Sequence, residues 1–407
     1  MSTNESAYST QPALPMAARL LLKLLKHLQF GRLTVLLPDR SRHEFGHASE
    51  TLTAQIDIHD LSMCAEVMTG GDVAFGEAYF NGKWDTPDLV ALLSLLAKNQ
   101  QALMPAFYGR GWKAFLFNLR HLLRANNKKQ AKKNIEAHYD LGNAFYRLWL
   151  DPTMTYSSAL FTEGNAQSTV DAQKAKYERI LQQIDPKPGS TILEIGCGWG
   201  GFAEHGVSTR DVRVVGITLS TAQLEYSRKR IAALGLEHKA RFELCDYRDA
   251  PARFGASFDG IASIEMFEAV GEKYWSKFFD VVAQTLKPGA RAAIQVITID
   301  ESRFETYRKT SDFIQQYIFP GGMLPSPERF IERAEKAQLT LRDRKEFGLD
   351  YAETLRRWLR QFDASSQAIA ELGYSDKFKK LWRFYLAYCI AGFEAKSIDV
   401  GHYTLQR

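Results

Sequence analysis

The densest chemical signal in this chain is Leu193-Glu194-Ile195-Gly196-Cys197-Gly198-Trp199-Gly200-Gly201-Phe202, an apolar run that breaks into glycines and resumes as a helical pattern near Gly201. Glycines let backbone amides approach a ligand, and the following helix N-terminus favours negative charge. A dinucleotide-binding turn would need Gly-x-Gly-x-x-Gly with an acid about 20 residues on, and a phosphate loop would need Gly-Lys-Ser/Thr. Neither is present. His43-Glu44-Phe45-Gly46-His47 has zinc-protease spacing, which works only when both histidines lie one turn apart on a helix. Gly46 interrupts that pattern and Pro38-Asp39-Arg40-Ser41 reads as a turn, so no metal site is expected. The Gly-x-Ser-x-Gly elbow of a serine nucleophile is absent. Cys64, Cys197, Cys245 and Cys389 lie far apart without a CxxC pair, which excludes a zinc ribbon and predicts reduced thiols in a cytosolic chain.

The elements that must position the glycine loop follow from periodicity. From Thr191 onward, strand-like runs at Thr191–Ile195, Val212–Ile217, Ala240–Leu244, Phe258–Ile264 and Ala290–Ile297 alternate with helical patterns. That alternation predicts an α/β domain with a doubly wound parallel sheet. Tyr351–Leu372 and Ser375–Glu394 read as aromatic-rich helices forming a lid or wall. Before Thr191 the pattern differs: a helix from Met16 to Leu28, strands at Arg32–Leu37 and Ala54–Ile58, and a helix from Asp85 to Ala97 predict a smaller N-terminal α+β domain over residues 1–125. Residues 126–133 read as a basic linker, and 134–407 as the catalytic domain.

Composition bounds the partners. The chain has 407 residues, 45% apolar and 24% charged, enough core material for two domains and too apolar for general disorder. No segment approaches the roughly 20 apolar residues that span a bilayer, and the N-terminus lacks a signal-peptide layout. The net charge of +5 is unevenly spread. No acidic residue occurs between Asp88 and Glu136, where Lys98, Arg110, Lys113, Arg120, Arg124, Lys128, Lys129, Lys132 and Lys133 interleave with aromatic and leucine residues. This suits an anionic membrane surface or a solvated helix, and no nucleic-acid motif accompanies it.

The E/D-x-Gly-x-Gly-x-Gly form resembles the first motif of class I S-adenosylmethionine methyltransferases, with a Rossmann-like fold. Val214 to Ser220 and Phe242 to Arg248 agree with that family's next two motifs. More specifically, Ala137-His138-Tyr139-Asp140-Leu141-Gly142-Asn143 and Leu150 to Ala159 resemble the cyclopropane fatty acid synthase family. So do Met266-Phe267-Glu268-Ala269-Val270-Gly271, Tyr317 to Ser326, Phe347 to Tyr351 and Tyr388-Cys389. Gly70-Gly71-Asp72 through Trp84-Asp85 resembles the extra N-terminal domain of the bacterial two-domain members.

The resemblance implies methyl transfer from S-adenosylmethionine to a cis double bond in a membrane phospholipid acyl chain, with cyclopropanation as the leading reaction and methyl branching as the rival. A catalytically decayed lipid-binding protein is the rival of another class, against which the intact glycine loop, Glu268 and Tyr351 speak. It implies a cytoplasmic protein peripherally associated with the inner face of the cell membrane, and leaves a homodimer open. For the cofactor it assigns Tyr156, Ser157, Gly196, Gly198, Gly200, Thr218, Leu219, Gln223, Asp246 and Tyr247. For the reaction it assigns Glu268, Tyr351, Ser158, Tyr139, Cys389 and Ile299, with bicarbonate as the bound base. Tyr317, Phe319 and Phe145 are assigned to the substrate, where ring faces stabilise a developing cation. Cys197, Trp199 and Met266 are expected to pack.

Three positions depart from the family pattern. Ser158 stands where a cysteine is expected, Ile297 where a histidine is expected, and Ala269 where a histidine often follows the glutamate. Glu265 is an extra carboxylate where many members have glycine, and can compensate for a lost imidazole. The Glu-Met-x-Glu-Ala-Val-Gly form is similar to a branch holding both cyclopropane synthases and methyl-branching enzymes.

Overall fold

Ser190–Ile195 is an almost wholly buried run, as a central parallel strand must be when helices cover both faces. In the computed structural model, which describes residues 14–47, 51–107 and 141–407, it is strand β5 at the middle of a seven-stranded sheet. Its neighbours are β6 (Val212–Thr218), β7 (Ala240–Leu244), β8 (Phe258–Ile264) and β9 (Leu286–Ile299). These five strands pair in parallel. β10 (Thr340–Glu346) and β11 (Ile398–Gln406) complete the order β10-β11-β9-β8-β5-β6-β7, with β11 antiparallel to both of its partners. Ile195 pairs with Ile217 and with Ser263, so the residues just beyond β5, β6 and β8 emerge together at one sheet edge. Ligands bind at that carboxyl edge in open α/β sheets.

Four helices of this half matter for the site: α5 (Gly142–Arg147), α6 (Thr169–Ile184), α7 (Gly201–Thr209) and α8 (Thr221–Ala232). α6 is capped by Ser168, which accepts from the Asp171 amide, and α8 by Ser220, which accepts from the Gln223 amide. α9 (Trp275–Thr285) covers the opposite face of the sheet, and the short α10 (Phe313–Tyr317), α11 (Gly348–Ala364) and α12 (Asp376–Glu394) follow. The first of the two expected terminal helices divides, a separate turn covering Ser366–Glu371.

The N-terminal part is a four-stranded sheet in the order β2-β1-β3-β4, with β1 (Arg32–Leu36), β2 (Arg42–Gly46), β3 (Thr53–Ile58) and β4 (Trp84–Asp85). α1 (Met16–Leu25), α2 (Ser62–Phe80), α3 (Leu89–Lys98) and α4 (Gln100–Phe107) accompany it. His43 to Gly46 lie in edge strand β2, not on a helix, so the two histidines of that motif are not one turn apart. α2 is broken at Gly71, whose φ of 63° and ψ of −142° turn the chain midway. Trp84 is wholly buried, stacked on Phe75 at 4.4 Å and set edge-on to Phe384 of α12 at 6.5 Å. The N-terminal helices therefore share one core with α11 and α12. The expected linker at 126–133, most of the basic run and Tyr139 lie outside the described residues. Among the described residues, no helix is long and apolar enough to cross a membrane.

Candidate active site

The glycine loop after β5 bends so sharply that the amides of Gly196 and Cys197 both donate to the Ile217 carbonyl. Gly196 has φ 85°, and a Cβ there would come within 2.8 Å of Met266 Cγ. At Gly198, φ is 49° and a Cβ would meet nothing within 4 Å, so its bare face borders the cavity beyond the sheet edge. That cavity has a volume of roughly 1520 Å³, above the 300–1,000 Å³ of a site for one small ligand. Tyr156, Ser157, Gly196, Gly198, Thr218, Leu219, Gln223 and Tyr247 line it. Thr218 Oγ1 donates to Gln223 Oε1 at 3.1 Å, which holds both side chains at the cavity wall.

Glu194, the acid of the glycine motif, also lines the cavity. It is buried, its Oε2 has no hydrogen-bond partner among the described residues, and burial pushes its carboxyl well above the usual range. An unpartnered buried carboxylate oxygen beside a bare glycine loop suits the cationic amino-acid end of S-adenosylmethionine. The residues present fit that cofactor. Glu194 was legible as part of the motif but not as a ligand contact.

The reaction end is organised by Glu265. Its backbone φ is 49°, a left-handed conformation that costs a non-glycine residue about 1 kcal/mol. Its Oε1 accepts from the Ser158 amide at 2.8 Å and from Gln295 Nε2 at 2.7 Å, and its Oε2 accepts from the Tyr351 hydroxyl at 2.7 Å. Gln295 is oriented in turn by His402 Nε2 at 2.8 Å, and burial keeps that imidazole neutral. α6 clamps the neighbouring segment: Lys176 Nζ donates to Ser157 Oγ at 2.7 Å and Gln173 Nε2 to the Ser157 carbonyl at 3.0 Å, both side chains fully buried. Burial raises the Glu265 carboxyl above its ordinary value, with the Lys176 charge and the three donors opposing the rise. Burial brings Lys176 down to about 7. Lys176, Gln173 and His402 carried no signal in the sequence, because polar residues outside a motif read as solvated until the fold buries them.

The groups expected to hold bicarbonate, the amide at position 158 and the Tyr351 hydroxyl, are thus occupied by a side chain of the protein. The residues present do not fit that ion. Glu268 accepts from the Ile297 amide at 2.5 Å through Oε1, while its Oε2 has no partner among the described residues. Cys389, Ile299, Tyr351, Phe319, Tyr156 and Tyr385 complete this part of the wall. Tyr156 and Tyr385 share a hydroxyl contact of 2.8 Å, and Phe319 sits 6.3 Å from Tyr385. Tyr385 was not expected.

Several expectations need correction. Phe145 is fully buried among Trp149, Phe378 and Trp382, so it packs α5 to α12 and does not line the cavity. Tyr317 does not line it either; it donates to Glu77 and packs on Phe80, joining α10 to α2. Gly200 faces α8, where a Cβ would lie 2.9 Å from Ser227 Cβ. Asp246 is drawn into an ion pair with Arg248, leaving Cys245 and Tyr247 at the cavity wall. Ser158 acts through its amide, its hydroxyl being spent on the Ala159 carbonyl. Cys197, Trp199 and Met266, expected to pack, also line the cavity. All four cysteines are free.

A parallel-rich sheet carrying a single antiparallel strand, with a bare glycine loop at its carboxyl edge, defines an S-adenosylmethionine-dependent methyltransferase. Residues 126–403 match the model of the mycolic acid cyclopropane synthetase family, and the chain belongs to that family. It is 35% identical over 406 residues to tuberculostearic acid methyltransferase UfaA1 of Mycobacterium tuberculosis, covering 96% of this chain and 91% of that protein. It is 34% identical over 358 residues to the cyclopropane-fatty-acyl-phospholipid synthase of Escherichia coli K12, covering 87% of this chain and 88% of that one. Among solved structures, the cyclopropane synthase MmaA2 from Mycobacterium tuberculosis matches with a TM-score of 0.62 and 32% identity over 68% of this chain and 98% of its own. The mycolic acid cyclopropane synthase CmaA1, complexed with SAH and CTAB, matches with a TM-score of 0.62 and 31% identity over the same shares.

Proposed function

We propose that this enzyme methylates a cis double bond in a phospholipid acyl chain and that the added carbon remains a branch instead of closing a ring. The observation that carries this reading is the Glu265 carboxylate, fixed where a mobile ion would otherwise serve as base. S-adenosylmethionine supplies an electrophilic methyl group when bound. Tyr156, Phe319 and Tyr385 exclude water and hold the alkene against it, and their ring faces stabilise the cation left on the neighbouring chain carbon. A C–C bond forms as the methyl leaves sulfur. Ring closure then requires immediate loss of a methyl proton to a base that can advance on it. Three of the roughly four lone-pair sites of Glu265 are engaged, so proton uptake is slow relative to a hydride shift from the methylated carbon to its cationic neighbour. Loss of a methyl proton from the resulting tertiary cation to Glu265 leaves a methylene branch, a 1,1-disubstituted alkene on the open chain. The N-terminal part engages the lipid by supplying Gly70, Phe75, Leu93 and Leu96 to the cavity, and the protein works peripherally at the inner face of the membrane.

The 34% identity to the Escherichia coli phospholipid synthase favours a second reading, cyclopropanation. Proton NMR of fatty acid methyl esters separates the two, since both products have the same mass. In cells rich in monounsaturated phospholipid and lacking their own cyclopropane synthase, vinylidene signals without upfield ring signals are expected. Glu265→Gly relieves the left-handed strain and frees the Ser158 amide and Tyr351 hydroxyl, so ring product rising with added bicarbonate is expected of that variant alone. Ring product from the unaltered enzyme would sink the branching reading while keeping methyl transfer. An unchanged lipid profile would sink both.

A further inference from the structure

Beyond the reacting end, the cavity opens between three cations from three separate elements. α3 and α12 run side by side in the same sense, since Lys380 Nζ meets Asp85 Oδ2 at 3.0 Å near one end and Ser94 Oγ donates to Glu394 Oε2 at 2.9 Å near the other. Lys98, one turn beyond Ser94, and Lys396, two residues beyond Glu394, therefore share an end. The Asp300 amide donates to the Ser397 carbonyl at 3.3 Å, which brings Arg303, in the following helix Glu301–Tyr307, to the same place. All three cations line the cavity mouth, Lys98 and Lys396 exposed and Arg303 half-buried. None pairs with a carboxylate among the described residues. The nearby acids are engaged elsewhere: Glu394 with Arg356 and Ser94, Asp300 with Ser302, Glu301 with Arg329, and Glu305 with Arg308.

Inward from this rim the wall turns apolar through Leu96, Ile398, Ile299 and Ile297 before reaching Tyr351 and Glu265. Because Ile297 and Ile299 end β9 and Asp300, which caps the helix carrying Arg303, follows directly, the path from base to rim is continuous. An apolar passage with uncompensated cations at its mouth suits a ligand whose long hydrocarbon chain ends at a fixed anion. Guanidinium and ammonium groups match phosphate oxygens in particular.

We propose that Lys98, Arg303 and Lys396 form the seat for the phosphate of the phospholipid whose acyl chain enters the cavity. The assignment rests on the acyl-chain reading above and adds the part of the substrate that sets register, since anchoring the phosphate fixes how far along the chain the double bond can reach. It also makes the headgroup linkage, and not the chain alone, a condition of tight binding.

The test reads binding without turnover. The full-length protein, saturated with S-adenosylhomocysteine, is titrated with dihexanoylphosphatidylglycerol and with dihexanoylglycerol, which lacks the phosphate, while tryptophan fluorescence is followed. The seat predicts that the unaltered protein prefers the phosphatidyl form by about tenfold or more, and that Lys98→Gln/Arg303→Gln/Lys396→Gln removes this preference without changing affinity for dihexanoylglycerol or S-adenosylhomocysteine. Arg303→Gln alone should weaken the phosphatidyl form by about threefold, and Lys187→Gln, an exposed charge on the opposite sheet edge, should not. Equal affinity of the unaltered protein for both probes overturns the seat. So does a Lys187→Gln loss equal to that of Arg303→Gln, or turnover confined to acyl chains borne on a carrier protein. A protein that shows the preference yet methylates no lipid would refute the reaction reading instead, so the two failures are distinguishable.

Discussion

Glu268 is a buried carboxyl with only one oxygen bonded, and that condition shows in how the fold responds to pH. Burial first, and the Glu265 charge second, push it up to about 8. Between the usual carboxyl range near 4.5 and about 8, the folded state therefore holds a proton that the unfolded chain has released. The stability this lends is full below about 4.5 and is lost as pH rises through about 8. Glu268→Gln keeps the neutral shape and cannot ionise. The melting temperature of the unaltered protein relative to this variant should thus fall between pH 5 and pH 9, by about 1 °C for each kcal/mol involved in a unit of this size. The difference is the proper readout, because Asp312, pushed up to about 7 chiefly by burial, titrates in both proteins. Melting curves that stay parallel across the range would mean that Glu268 is ionised in the fold.

At the scale of the elements, two glycines separate packing from ligand approach. Gly216 lies within β6, where a Cβ would sit 2.7 Å from Phe242 Cδ1 and 2.8 Å from Cys197 Cβ. Gly216→Ala should cost about 1–3 kcal/mol through overpacking. Gly198→Ala meets no protein atom and strains the backbone by about 1 kcal/mol, but its methyl enters the space beside the loop. Melting temperature should fall more for the first, and S-adenosylhomocysteine affinity, by calorimetric titration, more for the second; the opposite ranking would mean that Gly198 does not face the cofactor. The five parallel strands and the glycine loop were legible because short strand-like runs alternated regularly with helical patterns. β10 and β11 were not. β10 reads Thr-Leu-Arg-Asp-Arg-Lys-Glu, an exposed edge strand, and β11 mixes Asp399, Gly401 and His402 into a run buried on both faces, so neither shows the expected alternation. Glu265 was visible as an extra acid, but its three donors come from segments between 30 and 107 residues away, which only the fold brings together.

Over the whole molecule, the N-terminal part and the catalytic part are joined by buried contacts that neither could satisfy alone. Trp84 packs on Phe384 of α12, and the Asp72 carboxyl accepts from the Tyr388 hydroxyl at 2.7 Å. Interfaces of this kind couple unfolding, whereas polar contacts between independent domains do not. If the coupling holds, a ligand that touches only the methyltransferase sheet must stabilise the N-terminal helices as well. S-adenosylhomocysteine at about 100 times its Kd adds about 2.7 kcal/mol to whatever unfolds with its site. Trp84→Ala, far from that site, removes about 3–5 kcal/mol from whatever unfolds with α2 and α12. Scanning calorimetry should therefore show one transition that rises with the ligand and falls with the substitution, the two shifts acting on the same peak. Two peaks, with the ligand moving one and Trp84→Ala moving the other, would mean that the acyl cavity lies between units free to part, and substrate entry would then proceed by separation of the two parts instead of through the basic mouth.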